Sequence, residues 1–150
     1  MKKPILYLAN AYGFTPTTAI LLEPFIRTLS DMGYEVWEPF ARHGDGFVDP
    51  YQLARDNAND LEAADIIFAI LNGEPPDTGV MFELGYAFAR NKPRVLFRDD
   101  IRTASDSHEL PVNLMVAAGH DSVSFNASFY KDMDDLLNPQ KTLMLFLSHC

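Results

Sequence analysis

Short apolar runs alternate with longer helix-like segments along this chain, and that alternation limits the available folds more than any other feature. Four runs have the length and composition of buried strands, at residues 5–9, 34–37, 66–71 and 95–97, and a weaker strand begins at Val123. Helices are predicted at residues 18–32, 50–64, 78–91 and 111–119, and at 129–147 with a bend at Pro139. Residues 38–49 are predicted to form a loop.

Strands that alternate with helices usually pair in parallel, because a parallel connection needs a long crossover. The sequence therefore predicts one α/β domain over residues 1–150, a doubly wound, flavodoxin-like three-layer sandwich. Its mostly parallel five-stranded sheet would carry helices on both faces. Ligands bind outside the carboxyl ends of such strands, so the loops after Ala9, Leu71 and Phe97 are expected to line one crevice.

Charge and composition exclude several classes of partner. The net charge of −9 argues against nucleic-acid binding, which needs clustered basic residues. No apolar run is long enough to span a membrane, and the first residues indicate a buried strand rather than a signal peptide, so a cytoplasmic location is expected. The single cysteine and the four histidines show no metal-ligand spacing. Glycine-rich phosphate fingerprints are also missing, so neither metal nor cofactor is expected.

One carboxylate stands in an otherwise apolar helix. The stretch DTGVMFELGYAFA begins at Asp77 and places Glu83 among apolar neighbours on every side. Buried carboxylates need a partner or a function, so Glu83 either pairs with a basic residue or does chemistry. The helix dipole near the amino terminus would keep it ionised. An ionised, poorly solvated carboxylate is a good nucleophile toward the anomeric carbon of a sugar.

Three further side chains are candidates for the same crevice, and each has a structural alternative. Asp77 stands where an N-cap is expected. Asp60 lies on a polar helix, where most carboxylates are solvated, one turn after Asp56. Tyr7 lies in the first strand, where a tyrosine usually belongs to the core and its hydroxyl finds a partner.

Taken together, these motifs resemble the nucleoside 2-deoxyribosyltransferase family. The resemblance runs from Ile5 to Met115 and includes Tyr7, the Asn-Asp-Leu stretch at 59–61 and Ala-Asp at 64–65. Its most specific part is Asp-x-Gly-x-x-x-Glu-Leu-Gly-Tyr-Ala at 77–87, and Pro-Val-Asn-Leu-Met at 111–115 also matches.

The resemblance implies a role for each matching residue. Glu83 would attack C1′ of a 2′-deoxynucleoside, and a second base would then take the deoxyribosyl group. Tyr7 would hold the Glu83 carboxylate, while Asp60 and Asp77 would contact base and sugar, one of them protonating the leaving base. The residues implied in substrate binding are Phe14, Gly79, Asn113 and Met115.

The resemblance also implies a homo-oligomer, because the residue matching Asn113 comes from a neighbouring subunit in this family. Two parts of the chain depart from the pattern. Family members often end in an aromatic residue, whereas this chain ends in Ser148, His149 and Cys150. The stretch from Arg98 to Arg102 matches only part of the family, and its role is left open.

Two rival functions are consistent with the same features. The first is a 2′-deoxynucleoside 5′-monophosphate N-glycosidase, in which water replaces the second base and a small hydroxyl residue stands six positions before the Glu. In this chain Asp77 occupies that position. Repulsion between its carboxylate and a phosphate about 4 Å away would cost about 4 kcal/mol per charge pair. Deoxynucleosides and free nucleobases are therefore the expected substrates. The second rival is a non-catalytic nucleotide-binding module on this fold.

Overall fold

The sheet carries five strands, all of them parallel. The computed structural model describes residues 2–43, 49–102 and 105–150. The strands are β1 (Ile5–Ala9), β2 (Glu35–Trp37), β3 (Ile66–Ile70), β4 (Arg94–Phe97) and β5 (Phe129–Tyr130). Their order across the sheet is β2-β1-β3-β4-β5, and every neighbouring pair is parallel. The chain therefore winds outward from β1 in one direction and then the other, which confirms the predicted doubly wound fold.

Helices cover both faces of the sheet. They are α1 (Pro16–Ala19), α2 (Leu22–Met32), α3 (Pro39–His43), α4 (Pro50–Ala63), α5 (Thr78–Ala89), α6 (Ser122–Ser128) and α7 (Thr142–Leu147). One core cluster lies beneath α4, α5 and α6, where Leu61, Leu84 and Phe125 are buried. The other lies beneath α2 and α7, where Phe25 and Leu143 are buried. Because side chains alternate along a strand, each strand supplies both cores, which confirms the three-layer sandwich.

Two segments before β3 differ from the prediction. The first helix is divided into α1 and α2, with Ile20 and Leu21 between them. The predicted loop at 38–49 contains α3, whose start is capped by Glu38: its Oε2 accepts the Ala41 N–H at 2.7 Å. A glutamate at this position gives little sequence signal for a cap, which explains why the helix was missed.

The prediction was wrong for most of the last forty residues. The predicted helix at 111–119 is a 3₁₀ turn, Leu114–Ala117. The predicted strand at Val123 belongs to α6, which begins with a reciprocal capping box between Asp121 and Ser124. The predicted helix at 129–147 is instead β5, a second 3₁₀ turn (Asp134–Leu137) and α7. In the described parts of the chain, no helix is long and apolar enough to cross a membrane.

Candidate active site

Glu83 meets Tyr7 across the interface between α5 and β1. The Tyr7 hydroxyl donates a hydrogen bond to Glu83 Oε1 at 2.6 Å, and the tyrosine is fully buried. The two residues are 76 positions apart in the sequence, so the fold alone brings them together. The tyrosine fixes one carboxylate oxygen, and Glu83 also lines an open cavity. A substrate in that cavity can therefore meet a carboxylate that is already oriented.

Burial has a strong effect on the acidity of Glu83. It raises the pKa of this carboxyl to about 7, and the negative charge of Asp77 adds to the increase, while the Tyr7 hydrogen bond lowers it. Glu83 is the sixth residue of α5, beyond the first turn where the helix dipole acts most strongly. The expectation that the dipole keeps Glu83 ionised is therefore not met in full: near neutral pH the group exists in both forms.

Asp77 caps α5 and also faces the cavity. Its Oδ1 accepts the N–H groups of Gly79 at 2.9 Å and Val80 at 3.1 Å. In the described chain, Oδ2 makes no hydrogen bond. The same carboxylate lines the cavity beside Glu83, together with Gly79. The structural and functional interpretations of Asp77 are thus compatible, because the helix cap uses only Oδ1.

The cavity beside Glu83 has a volume of about 210 Å³ and lies at the carboxyl end of β1, as predicted. The loop after Phe97 was expected to line the same crevice, but none of its described residues does. Apolar side chains form one wall: Phe14, Pro39, Phe40, Leu53 and Val80. Phe14 is largely exposed and packs edge-on against Phe40, with ring centroids 4.9 Å apart. Larger cavities exist elsewhere, but Glu83 lines none of them. Chemistry rather than size therefore identifies the candidate site.

A buried Asn–Glu pair supports the cavity, and the sequence analysis missed it. Asn10 Nδ2 donates to Glu38 Oε1 at 2.9 Å, while Asn10 Oδ1 accepts the N–H groups of Tyr12 and Gly13. Asn10 lines the cavity, and Glu38 caps α3, which carries Phe40. The pair therefore fixes the loop after β1 relative to α3. The only sequence signal was that each residue directly follows a strand.

Asp60 is buried, so the solvated interpretation was wrong. Arg42 Nη2 donates to Asp60 Oδ1 at 2.9 Å, and His43 Nε2 lies 2.9 Å from Oδ2. Burial alone would raise the pKa of Asp60, but hydrogen bonds from Arg42 and His43 hold it below its ordinary value. Arg42 also stacks over the Trp37 ring at 3.8 Å. Asp60 does not line the Glu83 cavity. Within one chain it can therefore influence the site only indirectly, through neighbouring residues.

Asn57 also lines the cavity, and the sequence gave no reason to single it out. Its Oδ1 is buried and has no hydrogen-bond partner in the described chain. Buried polar atoms without partners are rare, and a ligand often supplies the missing contact. A side-chain amide offers both a donor and an acceptor, which suits the edge of a nucleobase.

Asn113 and Met115 do not reach Glu83 within one chain. Asn113 Oδ1 accepts the Met115 N–H at 2.9 Å, and its Nδ2 donates to Asp106 Oδ2 at 3.2 Å. Met115 is 74% exposed and lines a separate cavity of about 150 Å³ beside Phe88. Of the sequence-predicted site residues, the structure brings together Tyr7, Phe14, Asp77, Gly79 and Glu83.

The Arg98–Arg102 stretch has a structural role that the sequence left open. Arg98 is buried and donates to the carbonyls of Leu71, Gly73 (2.9 Å) and Arg102 (2.6 Å). Asp100 accepts the Gly73 N–H at 3.0 Å. These contacts tie the loop after β4 to the loop after β3. In the described residues there is no group of three or more His, Cys, Asp or Glu side chains that could hold a metal.

The fold and this constellation define an α/β enzyme whose oriented glutamate faces a small cavity, as in glycosyl transfer through an enzyme carboxylate. The sequence model of the family described as Nucleoside 2-deoxyribosyltransferase matches residues 6–115. The chain therefore belongs to the nucleoside 2-deoxyribosyltransferase family, whose members are enzymes that act on N-glycosidic bonds. Comparison with curated proteins gave no match.

Solved structures share the fold at low sequence identity. A 2-desoxiribosyltransferase from Leishmania mexicana is 24% identical, with a TM-score of 0.66, over 87% of this chain and 92% of that one. A 2-deoxyribosyltransferase from Bacillus psychrosaccharolyticus is 22% identical, with a TM-score of 0.69, over 89% and 90%. A CMP N-glycosidase from Clostridium botulinum is 16% identical, with a TM-score of 0.56, over 97% and 99%. The fold is therefore common to transferases and to a hydrolase.

Proposed function

We propose that this protein is a nucleoside 2′-deoxyribosyltransferase that moves 2-deoxyribose between nucleobases through a covalent deoxyribosyl–Glu83 intermediate. The observation that carries the proposal is the 2.6 Å hydrogen bond from Tyr7 to Glu83 at the wall of the cavity. One Glu83 oxygen is held by the tyrosine, and the carboxylate is desolvated, which increases its nucleophilicity.

The reaction has two displacements at C1′. In the first, a Glu83 oxygen forms a bond to C1′ while the bond from C1′ to the base nitrogen breaks, and its electron pair leaves with the base. In the second, a nitrogen of the incoming base attacks C1′ from the opposite side and releases the Glu83 carboxylate. Two inversions give net retention at C1′. Because the first base leaves before the second enters, the kinetics are ping-pong.

Asp77 is the better of the two candidate proton donors to the leaving base. Its carboxyl lines the cavity, whereas Asp60 is held by Arg42 and His43. Protonation of the departing nitrogen avoids an anionic leaving group. The donated proton leaves with the first base as its N–H, and the N–H proton that the incoming base loses restores the proton on Asp77. Asp60 then acts as a positioning residue near Tyr7. The negative charge of Asp60 helps to raise the pKa of the Tyr7 hydroxyl.

We further propose that the active enzyme is a homo-oligomer in which a neighbouring chain brings Asn113 and Met115 to Glu83. Within one chain these residues lie outside the Glu83 cavity. Exposed apolar side chains mark the surface available for such a contact: Phe82, Phe88, Leu114 and Met115. Phe82 directly precedes Glu83 in α5, and 70% of this aromatic residue is exposed. It therefore offers apolar surface to a neighbouring chain next to the site.

Charge favours nucleosides over nucleotides. In the described part of the chain, no Lys, Arg or His lines the Glu83 cavity, while two carboxylates do. A 5′-phosphate would therefore meet repulsion without a compensating cation. The shared fold of the CMP N-glycosidase keeps hydrolysis as the second candidate: that reaction would use the same first displacement, with water replacing the incoming base.

One incubation tests the proposal. The protein is mixed with deoxyinosine and adenine, and the products are separated by chromatography. Transferase activity gives deoxyadenosine and hypoxanthine, and Glu83→Ala abolishes both. Free deoxyribose without deoxyadenosine would instead identify a hydrolase, and faster turnover of deoxyinosine 5′-monophosphate would identify the nucleotide as substrate. Glu62→Gln is the matched control, because Glu62 accepts a 2.6 Å hydrogen bond from Tyr86 on the exposed side of α4.

A further inference from the structure

A second cavity lies at the opposite end of the sheet from Glu83. Its volume is about 380 Å³, and it is enclosed by the end of α5, the start of β4, α6 and α7. Arg94, the first residue of β4, forms part of its wall, whereas the Glu83 cavity lies at the carboxyl ends of the strands. The two cavities share no lining residue, so a ligand here would not compete directly with a nucleoside.

The lining of this cavity is basic, in a protein whose net charge is −9. Lys92, Arg94 and His120 contribute to it, and no Asp or Glu among the described residues does. The Lys92 ammonium already donates to the carbonyls of Glu62 at 2.6 Å and Ala64 at 2.7 Å, so Arg94 is the cation left for a ligand. His120 Nε2 is buried without a hydrogen-bond partner in the part of the chain that the structure covers. Burial and the nearby charge of Arg94 lower the pKa of His120, which disfavours the charged form of its imidazole.

Arg94 is the group that most needs a ligand. It is only 7% exposed, and its Nη2 donates to the Ala118 carbonyl at 2.6 Å. Its guanidinium lies over the Phe88 ring at 5.1 Å, and no carboxylate in the described chain lies within ion-pair distance. Buried charges are normally paired, and an Arg has five N–H donors. Arg98, the other buried arginine beside β4, lies at the opposite end of that strand, where it donates to three backbone carbonyls and has Glu74 Oε2 3.9 Å away.

Hydroxyl groups complete the donor set. Ser124, Ser128 and Thr142 line the same cavity. The Ser124 hydroxyl donates to Asp121 Oδ1 at 2.7 Å, whereas the Ser128 and Thr142 hydroxyls lie 3.0 Å apart, and one of that pair keeps an O–H for a ligand. A guanidinium and a nearby hydroxyl pair match a tetrahedral oxyanion better than a planar carboxylate, because such an anion presents acceptors in several directions.

We propose that this cavity is a binding site for a phosphate group, free or as a phosphate monoester, with Arg94 as its charged anchor. The site is separate from the proposed catalytic cavity and does not depend on the activity assigned to Glu83. A bound phosphate would neutralise the buried guanidinium and connect α5, β4, α6 and α7. Phosphate is therefore expected to stabilise the fold.

Thermal unfolding in inorganic phosphate tests this site. The full-length protein is melted in increasing phosphate, with chloride at equal ionic strength as the reference. Binding predicts a rise in Tm of about 3–5 °C at ten times the Kd, which then continues with the logarithm of the phosphate concentration. Arg94→Gln is expected to abolish the rise, whereas Arg90→Gln and Glu83→Gln keep it. Arg90 is the matched control because it lies nearby at the end of α5 but is exposed and pairs with Glu62.

A second pair of variants covers the case in which Arg94→Gln does not fold. Ala127 lines the cavity, whereas its neighbour Asn126 does not. Ala127→Glu adds a carboxylate at the wall and should remove the phosphate response, while Asn126→Glu adds the same charge outside and should preserve it. The proposal is overturned if the Tm of the wild-type protein rises no more in phosphate than in chloride, or if Ala127→Glu responds as the wild type does. A change of oligomeric state on Arg94→Gln without any phosphate response would assign Arg94 to a subunit contact instead.

Discussion

The Tyr7 hydroxyl lies 2.6 Å from Glu83 Oε1, and a second tyrosine–glutamate pair in the same protein has the same distance. In that second pair, Tyr86 donates to Glu62 at the exposed surface. The pKa values of the two glutamates nevertheless shift in opposite directions. Burial raises the pKa of Glu83 to about 7, whereas the Tyr86 hydrogen bond lowers the pKa of Glu62, where desolvation is slight. The environment of the pair, rather than its geometry, thus decides its chemistry.

Activity should fall on the acid side of neutrality. The first displacement needs ionised Glu83, so the acid limb of the kcat/KM profile for the donor nucleoside is expected to have its midpoint near pH 7. Tyr7→Phe removes the hydrogen bond that lowers the pKa of Glu83. The midpoint should therefore move to higher pH, and kcat/KM at pH 7 should fall about tenfold or more. Tyr86→Phe is the matched control; an equal effect of that variant on the profile would contradict the assignment.

Asp77→Asn should separate the effect of Asp77 on the pKa of Glu83 from its proposed role as proton donor. Asparagine keeps the helix cap, since it is as good an N-cap as aspartate. Removal of the negative charge lowers the pKa of Glu83, so the acid limb should move to lower pH. Loss of the proposed proton donor should reduce kcat by about a hundredfold for bases that leave poorly and by less for bases that leave easily. Stopped assays with a series of donor nucleosides measure both effects, and a uniform loss across the series would count against proton donation.

Glu83→Gln should stabilise the protein at alkaline pH. The folded-state pKa of Glu83 is raised from 4.5 to about 7, so the folded protein binds this proton more tightly than the unfolded chain does. That contribution is complete below about pH 4.5 and is lost as the pH rises through about 7. The free energy of unfolding of Glu83→Gln relative to wild type should increase by about 3 kcal/mol between pH 4.5 and pH 8.

Urea unfolding at both pH values measures this difference. Glu62→Gln provides the control. Because the pKa of Glu62 is lowered, replacing it with glutamine should not increase the free energy of unfolding at alkaline pH. If the free energy of unfolding of Glu83→Gln relative to wild type does not change with pH, the carboxyl is better solvated than its position suggests.

Asn57 should influence which base is accepted. Its buried Oδ1 has no protein partner in the described chain, so Asn57→Leu is expected to leave the free energy of unfolding unchanged or to raise it by about 1 kcal/mol. The ratio of kcat/KM values between two acceptor bases should change by about tenfold or more, because an amide distinguishes donors from acceptors and leucine does not. Competition between adenine and hypoxanthine measures the ratio. Asn59→Leu, on the exposed side of α4, should leave it unchanged.

Mixing two inactive variants tests whether a neighbouring chain completes the site. Glu83→Gln lacks the nucleophile, and Asn113→Ala lacks the proposed sugar contact. If Asn113 acts across a subunit boundary, a refolded mixture regains activity, up to about a quarter of the wild type for a random dimer. Neither variant alone does so. No recovery from mixed subunits that exchange, as shown by a mass-tagged chain, would contradict a role for Asn113 across the subunit boundary.

Local signals predicted the part of the fold that contains the site. Apolar runs at β1 and β3 and an aspartate cap before α5 depend on neighbours in the sequence, so they could be recognised without the structure. The C-terminal third was mispredicted because β5 has only two residues and its neighbours are short, which leaves no periodicity to detect. Contacts such as the Tyr130 hydroxyl that accepts the Leu143 N–H define that region instead.

The sequence by itself determined that Glu83 stands in an apolar helix behind an Asp77 cap, and that Tyr7 lies in a buried strand. Only the tertiary structure decided what these groups can do. It joined Tyr7 to Glu83 across 76 positions, raised the pKa of that carboxyl by burial, and tied Asp60 to Arg42 and His43 away from the cavity. Solvation and long-range charge depend on residues that are remote in the chain, and for that reason only the folded protein sets the reactivity of the site.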